Sequence, residues 1–282
     1  MRPAAGVVLA GGRSSRMGTA KGALEWHGST LLRHITGVVA RAVDGPVIVV
    51  RAPGQELPEL DPAVVVCEDP EEGRGPLQGL AAGLAVAAAT SDTAFVCSTD
   101  LPFLHVSFIQ AVLRRFDPDT PDVVLPIVHG YRQPMTAGYR TDIASRITKL
   151  LDAGRSRPAQ LFDECVVRRL DEAELLADPQ VARTDPLLES VVNVNELSEY
   201  REARRREAPE IVVERFGVLA NRGGGRGPRR VHAANLGAAA KQVGLALDGQ
   251  VVASINGDQI RGDGRVPLLP GDTVAFSPAT TQ

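Results

Sequence analysis

The residues in this sequence that are best suited to chemistry lie in one glycine turn and the stretch after it. A short apolar run, residues 6–10, ends at Gly11 and Gly12, and the cations Arg16 and Lys21 follow. Glycines let a backbone approach a ligand closely, and backbone amides next to fixed cations suit phosphate groups. The spacing matches neither the Walker A pattern nor the GxGxxG dinucleotide pattern. It predicts a polyphosphate-binding turn, the alternative being a glycine turn with solvated basic side chains.

Two aspartates follow other apolar runs of the chain. Asp69 comes after residues 63–67, and Asp100 comes after residues 94–98. A carboxylate can accept hydrogen bonds from the ring N–H and amino groups of guanine, and Mg2+ takes carboxylate oxygens together with phosphate oxygens and waters. We therefore expect both side chains to serve a nucleotide site. A helix-capping role is the alternative for Asp100.

The elements that must position these residues alternate between strands and helices up to about residue 200. Apolar, β-branched runs predict five buried strands, at residues 6–10, 46–50, 63–67, 94–98 and 122–126. Such runs, separated by helices, are typical of an α/β fold with a largely parallel sheet covered on both faces. Ligands of these sheets gather at the carboxyl ends of the strands, where the glycine turn and both aspartates are expected. Residues 190–195 predict one more short strand, followed by a helix from Glu196.

Composition limits the classes of protein to which the chain can belong. Its 282 residues are 44% hydrophobic and 23% charged, with a formal net charge of −3, which supports packed domains and argues against nucleic acid as a partner. Cys67, Cys97 and Cys165 lie far apart, which fits neither a disulfide framework nor a zinc site. Since the sequence has no leader-like segment and no long apolar stretch, we expect a cytoplasmic protein with no membrane partner.

A change of composition near Pro209 predicts a second domain, so we expect domains at residues 1–208 and 209–282. The second domain has strand patterns at 211–213, 251–255 and 273–276 and a helix pattern at 235–243. This order predicts a small α+β module. Its glycine-rich stretch, residues 222–227, has no aromatic residues for base stacking, so we interpret it as a hairpin loop rather than an RNA contact.

Residues 9–21 read L-A-G-G-R-S-S-R-M-G-T-A-K, and this run resembles the signature of the MobA-type molybdenum cofactor guanylyltransferases. The resemblance extends over about residues 4–200. It implies a Rossmann-like fold of the nucleotide-diphospho-sugar transferase type. It also implies transfer of GMP from GTP to a molybdopterin-type acceptor, with Mg2+ as the metal and pyrophosphate as the second product.

The same resemblance implies roles for residues that match the motifs of the family. Asp69 would bind the base, and Asp100, in the D-x-P setting, would be the metal ligand and would also serve nucleotide binding and catalysis. Residues 75–79, G-P-L-Q-G, are similar to the loop that closes over the nucleotide. The nucleotide would be approached by the backbone of Leu9, Ala10, Gly11 and Gly12, and the charge on its phosphates would be offset by the side chains of Arg16 and Lys21.

Three further residues match segments of the family that face the acceptor. Arg157 is implied to contact the acceptor phosphate. Asn193 and Asn195, in the run V-N-V-N, match the closing motif of the family and would support the metal or acceptor site. Capping or turn roles are equally good interpretations of all three residues.

Residues 209–282 resemble the β-grasp (ubiquitin-like) sulfur carriers of the MoaD and ThiS type. The resemblance lies in the runs F-G-V-L (216–219), V-A-S-I-N-G (252–257) and L-P-G-D-T-V-A-F (269–276). Such carriers end in Gly-Gly, whereas this sequence ends in S-P-A-T-T-Q. We therefore expect an interaction domain, with proteins of molybdoenzyme maturation as its partners, or a carrier that has lost its chemistry.

Two other functions stay open at the level of sequence. A CTP-dependent molybdopterin cytidylyltransferase, or a nucleotidyltransferase for another cofactor or a sugar phosphate, would use similar motifs. Gly11-Gly12 favours guanine, because cytidylyl relatives tend to carry Ala-Gly there. A scaffold of molybdenum cofactor synthesis without activity is the alternative from a different class.

Overall fold

The computed structural model describes residues 3–11, 21–70, 74–116, 121–221, 227–260 and 262–279. The chain divides into two compact units, Met1–Glu25 with Thr30–Tyr200, and Trp26–Ser29 with Arg201–Gln282. Gly12 and Arg16, two of the predicted site residues, lie outside the described residues, as does most of the glycine-rich stretch.

The chain up to residue 205 contains ten strands and eight α-helices in its described part. The strands are β1 (Ala5–Leu9), β2 (Glu25–Trp26), β3 (Ser29–Thr30), β4 (Val47–Arg51), β5 (Val65–Glu68), β6 (Thr93–Ser98), β7 (Val123–Val128), β8 (Tyr131–Arg132), β9 (Thr136–Arg140) and β10 (Val167–Leu170). The helices are α1 (Leu31–Ala42), α2 (Pro76–Ala87), α3 (Val106–Leu113), α4 (Ala144–Asp152), α5 (Pro158–Phe162), α6 (Glu172–Leu176), α7 (Pro179–Thr184) and α8 (Leu197–Arg205).

The main sheet of the first unit has the strand order β10-β7-β9-β6-β1-β4-β5, with β8 paired to β7. Strands β6, β1, β4 and β5 are parallel neighbours, β7 and β10 are parallel, and β9 is antiparallel to both β6 and β7. The largely parallel α/β sheet predicted from the sequence is confirmed. The five predicted strands correspond to β1, β4, β5, β6 and β7.

Strand β1 lies in the interior of this sheet, between β6 and β4, and all five of its residues are buried. Two glycines let helices pack on both of its faces. A Cβ at Gly6 would lie 2.1 Å from Val39 Cγ1 of α1, and a Cβ at Gly83 of α2 would lie 2.4 Å from Val7 Cγ1. Because real Cβ atoms do not approach so closely, any other residue would push a helix away from the strand that carries the glycine turn.

In the first unit one predicted strand is wrong, and the five-residue strand β9 was missed. The strand predicted at residues 190–195 is wrong, since Glu189–Val191 form a 3-10 turn and residues 192–195 belong to no strand. Apolar alternation suggested pairing, but the amide of Val194 instead donates to the carbonyl of Asp100 at 2.9 Å. The antiparallel strand β9 was not predicted, because Gly138 at its centre interrupts the apolar pattern. A glycine is needed there because a Cβ would lie 2.6 Å from the Phe116 ring.

The second unit contains strands β11 (Glu210–Arg215), β12 (Arg229–His232), β13 (Val251–Ile255), β14 (Asp258–Ile260) and β15 (Thr273–Pro278) and helix α9 (Leu236–Gln242). Its sheet has the order β12-β11-β15-β13-β14, in which the first and last strands of the unit, β11 and β15, are parallel neighbours. Asn235 caps α9, since its side chain accepts from the amide of Ala238 at 2.8 Å. The predicted helix and three strands are confirmed, and β12 and β14 were missed.

The helices give one further constraint. No α-helix in the described part of the chain combines the length and the apolar composition needed to span a membrane.

Candidate functional site

The carboxyl ends of four parallel strands bring several predicted residues to the same edge of the sheet. Ala10 and Gly11 follow β1, Asp69 follows β5, and Asp100 lies two residues beyond β6. The register places Leu9 of β1 beside Ser98 of β6 and beside Val50 of β4. The edge at which ligands of parallel sheets gather is therefore the edge that carries the candidate residues.

A cluster of polar side chains forms around Asp100. Lys21 Nζ lies 3.0 Å from Asp100 Oδ2 and 3.1 Å from Asn195 Oδ1, so one ammonium donates to both. The Ser98 hydroxyl donates to the other carboxylate oxygen of Asp100. The side chains of Lys21 and Asp100 are 22% and 14% exposed, which leaves the ion pair within reach of a ligand. Residues predicted separately as cation, metal ligand and acceptor-side asparagine thus meet in three dimensions.

Asn195 is held in place by the start of α8. Glu199 accepts hydrogen bonds from the backbone amides of Asn195 at 2.6 Å and Glu196 at 3.0 Å. These bonds, with a smaller contribution from the charge of Lys21, lower the pKa of the Glu199 carboxyl. Glu199 was missed from the sequence. Its signal is a glutamate at the third helical position, the residue that reaches back to the cap in a capping box.

The segment before Asn195 is tied to the chain that follows Asp100. The Ser190 hydroxyl accepts from the backbone amide of His105 at 3.0 Å. Asp185, whose pKa is raised by burial, accepts from the amides of Glu189 at 2.7 Å and Ser190 at 3.3 Å. This network sets the position of residues 192–195 relative to the Asp100 loop. Asn193 is exposed, and the structure does not bring it into the Lys21 cluster.

Helix α2 begins against the other predicted nucleotide residues. A Cβ at Gly79 would lie 3.5 Å from Leu9 Cδ2 and 3.8 Å from Asp69 Oδ2, so the first turn of α2 lies over both side chains. The Asp69 amide donates to the carbonyl of Arg51 at 2.8 Å. The neighbouring Cys67 thiol has its pKa raised by burial and secondly by the charge of Asp69.

The backbone of the glycine turn is already hydrogen-bonded at its start. The amides of Ala10 and Gly11 donate to the carbonyl of Val50 at 2.8 Å and 3.2 Å. A phosphate contact through these two amides would therefore require those bonds to be shared or exchanged. The carbonyl of Ala10 accepts from Gln55 Nε2 at 3.1 Å, a contact that the sequence did not suggest.

Arg157 lies at the N-terminal end of α5, where its backbone amide donates to Gln160 Oε1 at 3.0 Å. A Cβ at Gly75, in the G-P-L-Q-G turn, would lie 3.7 Å from the carbonyl oxygen of Ser156. The turn that begins α2 and the segment before Arg157 are therefore neighbours. Gln78 of the same turn is 8% exposed, and its Oε1 is buried with no hydrogen-bond partner among the residues that the structure describes.

The chemistry of the Asp100 cluster suits one kind of metal. Among the described residues, no group of three or more His, Cys, Asp or Glu side chains is arranged to hold a metal ion. Mg2+, however, often binds through one or two carboxylates, with the remaining positions taken by waters and substrate phosphates. Asp100, with the amide oxygen of Asn195 close by, fits that pattern. The Asp100 cluster does not fit the pattern of a closed transition-metal site, in which His and Cys side chains surround the ion.

The fold defines the chain as an α/β protein with a largely parallel central sheet, and comparison with known families identifies the class of protein. The sequence of residues 6–172, more than half of the chain, matches the family described as MobA-like NTP transferase domain. The chain belongs to this family and is a nucleotidyltransferase. Most of the second unit, from Arg201, lies beyond the matched residues.

Individual relatives agree with this assignment. A probable molybdenum cofactor guanylyltransferase from Mycobacterium tuberculosis strain H37Rv is 41% identical over 61% of this chain and 85% of the relative. A protein with the same description from Mycobacterium marinum is 40% identical over 59% of this chain and 82% of the relative. The solved structure of molybdopterin-guanine dinucleotide biosynthesis protein A from Archaeoglobus fulgidus is 17% identical, with a TM-score of 0.57 over 71% of this chain and 96% of that chain. The last similarity concerns the fold alone.

Proposed function

We propose that the chain transfers GMP from GTP to a molybdopterin-type acceptor and releases pyrophosphate. The observation that carries this proposal is the Lys21, Asp100 and Asn195 cluster at the carboxyl edge of a parallel sheet. Two relatives described as probable molybdenum cofactor guanylyltransferases, at 41% and 40% identity, support guanine and molybdopterin as the substrates.

The proposed reaction needs positioning and charge neutralisation more than covalent help from side chains. An oxygen of the acceptor phosphate attacks the α-phosphorus of GTP and forms a new P–O bond. The bond between the α-phosphorus and the bridging oxygen of the β-phosphate breaks, and that oxygen leaves with its electron pair in pyrophosphate. Lys21 offsets the charge that builds up on the phosphates, and Asn195 orients the ammonium. Asp69 accepts from the N–H groups of guanine.

Mg2+ is part of the proposal, with Asp100 as its ligand. When bound, the ion would neutralise charge on the nucleotide phosphates. Ser98 donates to Asp100 and so orients its carboxylate. Gly12 and Arg16 remain proposed nucleotide and catalytic residues on the sequence motif alone. Arg157 and Asn193 remain proposed on the acceptor side, where Gly75 lies close to the Ser156 carbonyl.

For the second unit we propose a β-grasp fold and a docking role toward proteins that mature molybdoenzymes. The strand order β12-β11-β15-β13-β14, which is second-first-fifth-third-fourth within the unit, supports the fold, as does the parallel pairing of β11 with β15. We keep residues 1–208 and 209–282 as the proposed domains and the cytoplasm as the proposed location.

Pyrophosphate release tests the proposed function. The full chain is incubated with molybdopterin and with GTP, CTP, ATP or UTP in turn, with Mg2+ or with a chelator. We expect Mg2+-dependent release with GTP only, and a guanylylated pterin as the product. Selective use of CTP would overturn the guanine assignment but keep nucleotidyl transfer. Absence of turnover with every nucleotide would overturn the enzymatic function.

A further inference from the structure

We infer that Gln55 is a positioning residue that fixes the first peptide group of the glycine turn for nucleotide binding. The inference rests on the proposed function. Gln55 lies at the end of a tight turn after β4, residues 52–55, and is partly buried. Its side chain makes two hydrogen bonds: Nε2 donates to the carbonyl of Ala10 at 3.1 Å, and Oε1 accepts from the amide of Ala52 at 2.9 Å.

The peptide group between Ala10 and Gly11 is therefore held at both of its ends. Its carbonyl accepts from Gln55, and its N–H donates to the carbonyl of Val50 at 3.2 Å. The turn also lies close to the glycine, since a Cβ at Gly11 would be 3.3 Å from the amide nitrogen of Ala52. With the plane of this peptide fixed, the direction in which the chain enters Gly11 is fixed as well.

Arg51, the last residue of β4 before this turn, supports Asp69, the aspartate proposed to bind the base. The carbonyl of Arg51 accepts from the amide of Asp69 at 2.8 Å, and the Arg51 guanidinium contacts Glu68 at 2.7 Å. Another guanidinium nitrogen of Arg51 donates to the carbonyl of Gln55 at 3.1 Å. Arg51 and the turn that follows it thus set the positions of the backbone that carries Asp69 and of the glycine-turn backbone.

The turn does not need a glutamine for its own shape. Pro53 and Gly54 occupy its central positions, with Gly54 at φ +67°, as a type II turn requires. The Gln55 amide donates to the carbonyl of Ala52 at 3.0 Å, and any residue could make that bond. Loss of the side chain should therefore leave the turn intact and release the carbonyl of Ala10. Ordering that peptide would then have to accompany nucleotide binding, which weakens binding.

The test compares Gln55→Ala and Gln55→Glu with Glu56→Ala, a neighbouring exposed residue, as the matched control. Gln55→Glu keeps the acceptor for Ala52 but replaces the donor by an oxygen that faces the Ala10 carbonyl. Calorimetry gives Kd for Mg2+-GTP, pyrophosphate release gives kcat, and hydrogen exchange without nucleotide follows the amide of Gly11. Thermal melting of each variant is recorded as well.

We expect both Gln55 variants to raise Kd for GTP by about 5- to 30-fold, the effect of losing one or two neutral hydrogen bonds. The Gly11 amide should exchange faster, while kcat and the melting temperature stay close to those of the control. Unchanged Kd, or a loss of kcat that simply follows a loss of stability, would overturn the inference. Wild-type protein that binds GTP without turnover would contradict the proposed function only, and wild-type protein that does not bind GTP would contradict both.

Discussion

The two sides of the candidate site are held together in different ways. On the phosphate side, which comprises Lys21, Asp100 and Asn195, side chains contact each other across 79 and 174 positions of sequence. On the base side, which comprises Asp69, Arg51 and the 52–55 turn, most contacts involve backbone groups. A substitution to any residue except proline changes the side chain and leaves the backbone amide in place. We therefore expect single substitutions to damage the phosphate side severely and the base side in a graded way.

The largest effect should follow the loss of the Asp100 carboxylate. Asp100→Ala is expected to lower kcat for pyrophosphate release by about 100- to 1000-fold or more, because the proposed Mg2+ ligand would be lost and with it the neutralisation of phosphate charge by the ion. Melting should change little, since partly exposed ion pairs contribute about 0–1 kcal/mol to stability. Asp142→Ala is the matched control, because Asp142 is exposed and follows β9 at the opposite edge of the sheet. Retention of Mg2+-dependent turnover in Asp100→Ala would contradict the proposal that Asp100 is the Mg2+ ligand.

Removal of the Lys21 charge should have the next largest effect. We expect Lys21→Met to lower kcat/KM for GTP by about 10- to 150-fold, since a hydrogen bond to a charged group contributes about 1.5–3 kcal/mol. Steady-state kinetics with the full chain give the value. Lys149→Met, at an exposed position of α4, supplies the control for loss of one positive charge. Equal values of kcat/KM for the two variants would mean that the charge of Lys21 does not contribute to the reaction.

Asn195 should act through Lys21 and show a smaller effect. Asn195→Ala removes one acceptor of the ammonium, and we expect a loss of about 3- to 10-fold in kcat/KM. If Asn195 orients Lys21, the loss should shrink or vanish when Lys21 is already methionine. A double-mutant cycle with Lys21→Met measures this coupling. Additive losses would show that the 3.1 Å contact between the two side chains does not contribute to kcat/KM.

The smallest effect concerns the electrostatics of the base side. The charge of Asp69 contributes to the raised pKa of the Cys67 thiol, so Asp69→Asn should lower that pKa and increase the thiolate fraction at pH 8. Alkylation of Cys67 should then be about 2- to 5-fold faster. Cys97 is the internal control, because it is fully buried and its pKa is also raised. An unchanged alkylation rate would contradict the proximity of the Asp69 charge to Cys67.

The sequence allowed prediction of the parts of the site that follow buried strands. Asp69 and Asp100 each lie two residues after a continuous apolar run, and parallel strands bring their carboxyl ends to one edge. The contact of Lys21 with Asn195 depends on tertiary packing. Residues 190–195 alternate like a strand, yet they form a 3-10 turn and an extended segment whose amide at Val194 bonds to the Asp100 carbonyl.

The base side was predicted less completely for a related reason. The Pro53-Gly54 pair marks a turn in the sequence, but nothing in the sequence indicates that the next residue reaches back to Ala10. Side chains that bind backbone groups of a distant turn have no fixed spacing, so they have no motif. Gln55 was missed for this reason. Glu199 was missed although its place at the third helical position is a capping-box signal, and both side chains hold residues that were predicted.

A comparison of Asp69→Asn with Asp100→Asn tests most directly whether the two sides are separate. For each variant and for wild-type protein, kcat and the ratio of kcat/KM for GTP to that for CTP are measured with molybdopterin and Mg2+. We expect Asp69→Asn to keep most of kcat and lose most of the preference for GTP. We expect Asp100→Asn to lose kcat and keep the preference in its residual activity. If both variants change the same quantity, or if Asp69→Asn leaves the nucleotide preference intact, the division into a base side and a phosphate side is contradicted.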